Sequence, residues 1–121
     1  MYLFLFFFSA QQARRESAAL QQTAAELQLQ HRTRIRVQAI KQLREKQSTL
    51  RSIIDEMEQS TLPSAQDMAR GAEKAWNIGS LSLFEMAYIR QNAWEYQKKY
   101  IQTLAEYNAT IIDIEFWTLS H

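Results

Sequence analysis

The sequence predicts an all-α fold, a long antiparallel helical hairpin that resembles a coiled-coil arm. Turn-forming residues are scarce, because the 121 residues include only two Gly and one Pro, and few turns imply long elements. Apolar or small residues also recur at steps of three and four through most of the chain, which indicates one face of a helix. That stripe is narrow and rich in alanine, as in the seam of a coiled coil.

The first ten residues, MYLFLFFFSA, form an apolar and aromatic block. The block is shorter than the roughly 20 residues with which a helix crosses a bilayer. A signal peptide is one interpretation, although no Lys or Arg precedes the apolar run. Phe, Leu and Tyr also suit a β-strand, so residues 1–10 are predicted as the end of a membrane strand, a short strand remnant, or as an apolar leader.

A single long helix is predicted for residues 11–77. Pro63 interrupts it, since proline lacks the backbone donor and its ring clashes with the carbonyl four residues back. The stripe resumes in phase beyond Pro63, which favours a kink over a break. Such a helix is roughly 100 Å long and is expected to pack against other chains or further sequence. The predicted stripe consists of Leu20, Ala24, Leu27, Ile35, Ala39, Leu43, Leu50, Ile53, Met57, Ala65, Met68, Ala72 and Ala75.

A tight turn is predicted at residues 78–82, followed by a returning helix over residues 83–118. Gly79 tolerates the left-handed conformation that ends many helices, and Asn77 shares this tolerance. Ser82 followed by Glu85 is a capping box that starts a new helix. The segment from Ile111 onward is increasingly apolar and is expected to be buried. The stripe of the returning helix is Met86, Ile89, Ala93, Tyr96, Tyr100, Leu104, Tyr107, Ile111 and Ile114.

No enzyme, metal site or cofactor site is predicted. The chain has no Cys, no Gly-rich phosphate loop, no Ser/His/Asp set and no HExxH motif. His31 and His121 lie far apart, without a carboxylate cluster beside either.

One stretch is basic, although the net charge of the chain is only +1. Binding of phosphates is one interpretation of this stretch, and a solvated helix face is the other. The charges are spread around the helix without an aromatic motif, which favours the solvated face and no nucleic-acid partner. The stretch contains one acid, Glu45, and the basic residues Arg32, Arg34, Arg36, Lys41, Arg44, Lys46 and Arg51.

The segment AEKAWNIGSLSLFEMAYIRQNAWEYQKKYIQTLAEYNATIIDIE resembles the distal stretch of the TolC-type outer membrane efflux proteins, the outer membrane factors. Their pattern of aromatic, Gly, Ser/Thr and acid at steps of three is matched by Trp76, Gly79, Ser82 and Glu85. FLFFFSAQQARRESAAL is similar to their transition from the last membrane strand to the long periplasmic helix, and TLPSAQDMA to the LP segment before their tip. GSLSLFE and AYIRQNAWEYQKKY read closest to the heavy-metal cation efflux branch.

The resemblance implies a homotrimer in the outer membrane and periplasm. Each subunit would contribute strands to a shared lipid-embedded β-barrel and long helices to a periplasmic tunnel. An adaptor (membrane fusion) protein would join that tunnel to an inner-membrane pump. The chain would correspond to a C-terminal fragment, the second half of the second repeat, with most barrel strands missing.

The resemblance also assigns a docking tip and a tunnel entrance. Adaptor hairpins would dock at Asn77, Ile78, Gly79, Ser80, Leu81 and Ser82. Glu85 would contribute to a ring of three carboxylates at the entrance, and Tyr88 lies where some members carry a second acid. The alternative is a small self-contained helical-hairpin adaptor or coiled-coil scaffold.

Overall fold

The backbone is helical over almost its whole length. The computed structural model describes residues 2–120. Its elements are helix α1 (Tyr2–Glu56), a π-helical segment (Met57–Thr61), helix α2 (Leu62–Asn77) and helix α3 (Leu83–Leu119). No strand occurs within this described range. The predicted all-α class is therefore confirmed.

Two units can be distinguished along the chain. The N-terminal unit is Met1–Ala39 and the C-terminal unit is Ile40–His121, so the boundary falls inside α1. The C-terminal unit contains the rest of α1, the π segment, α2 and α3. It also contains every residue that is buried among residues 2–120.

The N-terminal unit is helical from its first described residue. Tyr2–Ala10 are the first turns of α1, and Met1 lies outside the described residues. The predicted strand is therefore wrong for residues 2–10. A strand needs neighbouring strands to pair its backbone groups, and residues 2–120 offer none, whereas a helix makes those hydrogen bonds internally.

The predicted apolar stripe of the N-terminal unit is largely uncovered. Within residues 2–39 none is buried, and only Arg36 and Ala39 are half-buried. Leu20 and Leu27 are exposed side chains. Helix formation in this unit therefore owes little to burial and rests on local hydrogen bonds and helix propensity.

The helical backbone continues through Pro63 because its hydrogen-bond register changes just before the proline. Met57–Thr61 adopt the π conformation, and the N–H of Leu62 donates to the carbonyl oxygen of Met57, five residues back. Pro63 then lies in the first turn of α2, where a missing N–H costs least. Single π turns of this kind are a known way to accommodate a local disruption inside an α-helix.

Gly79 ends α2 with a Schellman motif. Its φ of 78° is the only positive φ in the described chain, and a side chain with a Cβ is strained in that region. The N–H of Ser80 donates to the carbonyl oxygen of Ala75 at 2.8 Å, and that of Gly79 to Trp76 at 3.0 Å. These are the two bonds that define the motif. Asn77 is the last residue of α2.

In the C-terminal unit α3 packs against α2 and contacts the π segment through a hydrogen bond. The hydroxyl of Tyr100 donates to Oε1 of Glu58 at 2.6 Å. Glu58 precedes Gly79 by as many residues as Tyr100 follows it, so the two partners are equidistant from the turn. The buried seam of this unit consists of Leu50, Ile54, Met57, Ala65, Ala72, Met86, Thr103 and Thr110.

The seam differs from the predicted stripe at several positions. Ile53 and Met68 are exposed, whereas Ile54 is only 1% exposed. Both isoleucines lie three or four residues from Leu50 and from Met57, so periodicity could not choose between them. Tyr96 and Ile111 of the predicted stripe are also exposed.

Two threonines take buried positions in α3. The hydroxyl of Thr103 donates to the carbonyl oxygen of Lys99 at 2.8 Å, and that of Thr110 to Tyr107 at 2.6 Å. A hydroxyl that bonds the preceding turn is already paired and can be buried without a partner on the facing helix. These short side chains therefore behave as small seam residues.

The end of α3 is less buried than its composition suggests. Ile112, Phe116 and Leu119 are exposed, although the sequence predicts burial from Ile111 onward. Ile114 and Trp117 are half-buried, three residues apart on one face. Only one face of an amphipathic helix meets a single neighbour, so the remaining apolar side chains stay in solvent.

Candidate docking tip

The turn between α2 and α3 is held by hydrogen bonds on both sides. Beyond the Schellman motif, Oγ of Ser82 accepts from the backbone N–H of Glu85 at 3.1 Å. The carboxylate of Glu85 in turn accepts from the backbone N–H of Ser82 at 3.2 Å. This reciprocal pair is the predicted capping box, which is confirmed. The short segment is consequently a fixed reversal and presents its side chains on a defined frame.

Large apolar side chains surround this turn and are directed at solvent. Ile78, Leu83 and Tyr88 are exposed, and Phe84 is 89% exposed. A shallow concavity on α3 is lined by Leu81, Phe84, Glu85, Tyr88 and Ile89. Contiguous exposed apolar surface on a protein is typical of an interaction site. We define the tip patch as Ile78, Leu81, Leu83, Phe84, Tyr88 and Ile89.

The predicted docking residues all lie at this tip, and most of them are exposed. Asn77, Ile78, Gly79, Ser80 and Ser82 are exposed, and Leu81 is half-buried. Ser80 contributes its backbone N–H to the turn, and Ser82 contributes its hydroxyl oxygen as an acceptor. Among these residues, Ile78 and Leu81 supply the apolar area.

Sequence reasoning missed Leu83 and Phe84 as surface residues of the tip. They are the first two residues of α3, directly after the cap. Phe84 lies two positions before the buried Met86, and residues two apart on a helix face different directions. That offset is the signal that would have predicted an exposed aromatic side chain here.

The tip carries very little charge. Within residues 75–89, Glu85 is the only Asp, Glu, Lys or Arg residue. It lies in the first turn of α3, while Lys74 lies in the last turn of α2. Each charge therefore complements the dipole of its own helix. An uncharged apolar surface around one carboxylate suits docking of another apolar surface better than ion capture.

The two residues assigned to the tunnel entrance lie on the same concavity. Glu85 and Tyr88 are three positions apart on α3, both exposed, and both line the shallow concavity with Phe84. The carboxylate of Glu85 is engaged by the cap of its own helix. Its local role is thus structural within one chain, and a ring of three carboxylates stays a prediction.

Tyr100, near the middle of α3, and Glu58 of the π segment form a polar pair that we call the clamp. The hydrogen bond to Glu58 is the main cause that raises the pKa of the Tyr100 hydroxyl. Desolvation and the negative charge of Glu58 raise that pKa further, while Arg51 lowers it. The pair joins α3 to the π segment across 42 residues of sequence. Sequence reasoning placed Tyr100 in the apolar stripe and missed this partner.

The described residues present no group of three or more His, Cys, Asp or Glu side chains arranged to hold a metal ion. His31 is exposed, and His121 lies outside the described residues. In the basic stretch, Arg51 pairs with Asp55 at 3.4 Å on the same helix, and Arg36 is half-buried. The other basic residues of the stretch are exposed, as on a solvated helix face.

Neither models of protein families, nor curated protein sequences, nor solved structures give a match to this chain. Within residues 2–120, none of the helices has a window that is both long and apolar enough for a membrane crossing.

Proposed function

We propose that this chain is part of a trimeric outer membrane channel subunit of the TolC type. In that role its C-terminal unit is a long antiparallel helical hairpin that forms periplasmic tunnel wall. Its turn is the tip at which an adaptor protein docks. The channel is passive: it conducts, while an inner-membrane pump supplies the energy. The observation that carries the proposal is the tip patch, an apolar and nearly uncharged surface around the Gly79 turn.

Two physical features favour docking at this tip. The Schellman motif and the capping box fix the turn, so little conformational entropy is lost when a partner binds. Phe84 is almost fully exposed, and burying one such aromatic side chain is worth about 1.5–3 kcal/mol. Three copies of the patch around a threefold axis would multiply that contribution through avidity.

The motif spacing around the turn supports the same assignment. Trp76, Gly79, Ser82 and Glu85 follow the family pattern, and three of these have a visible local role. Gly79 provides the positive φ, and Ser82 and Glu85 form the cap. The pattern is thus one that a short, rigid reversal requires, and the apolar residues interleaved with it form the surface for a partner.

The uncovered stripe of the N-terminal unit is consistent with neighbouring chains. Leu20 and Leu27 repeat at heptad spacing and are exposed, as expected for a seam whose partner helix belongs to another copy or to further sequence. We propose outer membrane and periplasm as the location, with a homotrimer, an adaptor and a pump as partners. Outer membrane lipid would be contacted by strands outside this chain.

Photo-crosslinking tests the docking proposal. A photoreactive amino acid at Ser80, which is exposed at the turn, should capture the hairpin of a periplasmic adaptor when the full chain and the adaptor are mixed. Phe84→Asp should reduce capture by more than about tenfold, because it places a charge in the apolar contact. Ile112→Asp is the matched control, since Ile112 is 65% exposed on α3 but outside the tip patch.

The outcomes separate cleanly. Capture that Phe84→Asp removes and Ile112→Asp preserves supports the tip as the docking surface. Equal capture by both variants would show that the tip patch is not involved. A gene for an adaptor and a gene for a pump beside the coding sequence would support the class independently.

The alternative function is a self-contained helical-hairpin adaptor or scaffold. It is favoured by the seam of the C-terminal unit, where Ile54 and Thr110 are each 1% exposed without any other chain. Sedimentation at micromolar concentration separates the two functions. A monomer with a single cooperative melt favours the alternative, whereas association through the exposed stripes favours the channel.

A further inference from the structure

Seven consecutive aromatic or aliphatic side chains stand in solvent at the beginning of α1. From Tyr2 to Phe8 their exposed fractions range from 68% to 92%, and all belong to regular helix. Leu3, Phe4, Phe7 and Phe8, with Gln11, also line a shallow apolar concavity. We define the aromatic block as Tyr2–Phe8.

The aromatic block is apolar on every side of the helix. Seven consecutive residues make almost two turns at about 3.6 residues per turn, so they leave no polar face. A protein groove that receives a helix covers one face and leaves the others in water. A helix that is apolar all round is instead typical of a segment surrounded by hydrophobic material.

Charges beside the aromatic block identify the kind of surface that would surround it. Arg14 and Arg15 follow within two turns, and the first acidic residue of the chain, Glu16, comes directly after them. Phe8 and Arg14 are separated by about 9 Å along a helix. That spacing is close to the thickness of a headgroup layer, roughly 5–8 Å per leaflet. The arginines are therefore placed where anionic headgroups lie when Phe8 is at the hydrocarbon boundary.

We propose that the aromatic block inserts as a helix into one leaflet of an anionic lipid membrane, with Arg14 and Arg15 at the headgroups. With seven residues, the block is far shorter than the roughly 20 residues with which a helix crosses a bilayer, so it reaches one leaflet only. Apolar burial and attraction to anionic lipid act together in such anchors. This inference does not depend on docking at the tip.

Vesicle flotation of the full chain, with any purification tag at the C-terminus, tests the proposal. The chain should float with vesicles of phosphatidylcholine and phosphatidylglycerol, and more weakly with phosphatidylcholine alone. Phe4→Ser with Phe7→Ser should weaken partitioning roughly 100-fold, since two buried phenyl groups are lost. Ile112→Ser with Phe116→Ser is the matched control, because both are exposed and four residues apart on α3. It should change partitioning by less than about threefold.

The charge contribution has its own test. Arg14→Gln and Arg15→Gln should each weaken binding to the anionic vesicles about fivefold at low salt. The same substitutions should have little effect at high salt, where the attraction is screened. Binding that is insensitive to both arginines and to lipid charge would overturn the anionic part of the proposal.

Depth can be measured directly because the chain has no Cys. An environment-sensitive dye on Phe6→Cys should shift to shorter wavelength with vesicles and be quenched by spin labels on the acyl chains. The same dye on Gln30→Cys, an exposed position of the same helix, should show neither effect.

The alternative to lipid is a second copy of the chain that covers the aromatic block. If the chain ignores vesicles and forms an assembly that Phe4→Ser with Phe7→Ser dissolves, then a second copy covers the block and the lipid proposal is overturned. Insertion of the Phe6→Cys dye that is lost in the presence of those two substitutions would support it.

Discussion

Helix α1 belongs to two units that differ sharply in burial. Its first part, in the N-terminal unit, has no buried side chain within residues 2–39. Its second part, in the C-terminal unit, contains the buried side chains of Leu50 and Ile54. Both parts are regular helix. Local hydrogen bonds thus suffice to define the helix, whereas cooperative stability requires a partner surface.

The contrast predicts a large difference between two matched truncations. Ile54→Ala should destabilise the C-terminal unit by about 3 kcal/mol, because it leaves a cavity in the buried seam of that unit. Leu20→Ala, at a side chain that is 70% exposed, should change stability by less than about 0.5 kcal/mol. Urea denaturation followed by circular dichroism measures both. Equal effects would mean that the stripe around Leu20 is covered in solution.

The turn gives the next largest effect, again with a matched control. Gly79→Ala should destabilise the C-terminal unit by about 1–2 kcal/mol, since alanine is strained at a positive φ. Gly71→Ala should instead stabilise it by about 0.5–1 kcal/mol, because a Cβ there meets nothing within 4 Å.

Hydrogen exchange then shows which unit responds to the Gly79 substitution. Amides of the C-terminal unit should lose protection in Gly79→Ala, while those of residues 12–35 should be unchanged. A loss of protection in the N-terminal residues as well would show that the two units unfold together, and the contrast between them would fail.

The cap of α3 should contribute somewhat less. Ser82→Ala removes the side-chain acceptor for the Glu85 N–H and should cost about 1 kcal/mol. Ser80→Ala, outside the capping box, should be close to neutral. Thermal melts of the two variants provide the comparison. A neutral result for Ser82→Ala would indicate that the Schellman motif alone fixes the reversal.

The clamp between Tyr100 and Glu58 should give the smallest effect and a dependence on pH. The folded state raises the pKa of Tyr100 above its usual value of 10.0, mainly through the hydrogen bond to Glu58. A raised folded pKa stabilises the fold fully below the unfolded pKa, and this stabilisation is lost as pH rises through the folded pKa. Tyr100→Phe should therefore be less stable than the original chain at pH 8.

Above pH 10 the difference between Tyr100→Phe and the original chain should shrink. Denaturation at pH 8 and at pH 11 measures it. Glu58→Gln serves as a control, since it retains a hydrogen-bond acceptor but removes the negative charge that contributes to the raised pKa. A difference that is constant with pH would show that the hydroxyl does not form this bond in solution.

Much of the fold could be predicted because it depends on short-range chemistry. Scarce Gly and Pro imply few turns, Gly79 supplies the positive φ, and Ser82 with Glu85 makes the cap. Each feature acts within about four residues, so the local sequence contains the necessary information. The position of the tip residues followed from these signals.

The buried positions and the conformation of the first residues could not be predicted, because they depend on contacts that hydrophobic periodicity does not specify. Periodicity does not distinguish Ile53 from Ile54, because both lie three or four residues from Leu50 and from Met57. Thr103 and Thr110 can be buried because their hydroxyls donate to carbonyl oxygens of their own helix. A hydropathy pattern counts threonine as polar and so does not predict this burial. The first ten residues have strand-like composition, yet among the described residues no strand is available to pair with them.

The clamp between Glu58 and Tyr100 restricts which insertions and deletions the two helices can accept. Glu58 and Tyr100 are 42 residues apart and equidistant from the turn, so one added residue on one side alone would rotate that helix by about 100°. Seven residues added to both sides would return each face almost to its original direction. Longer or shorter versions in evolution should therefore arise by paired insertions or deletions of two helical turns, matched on either side of the reversal.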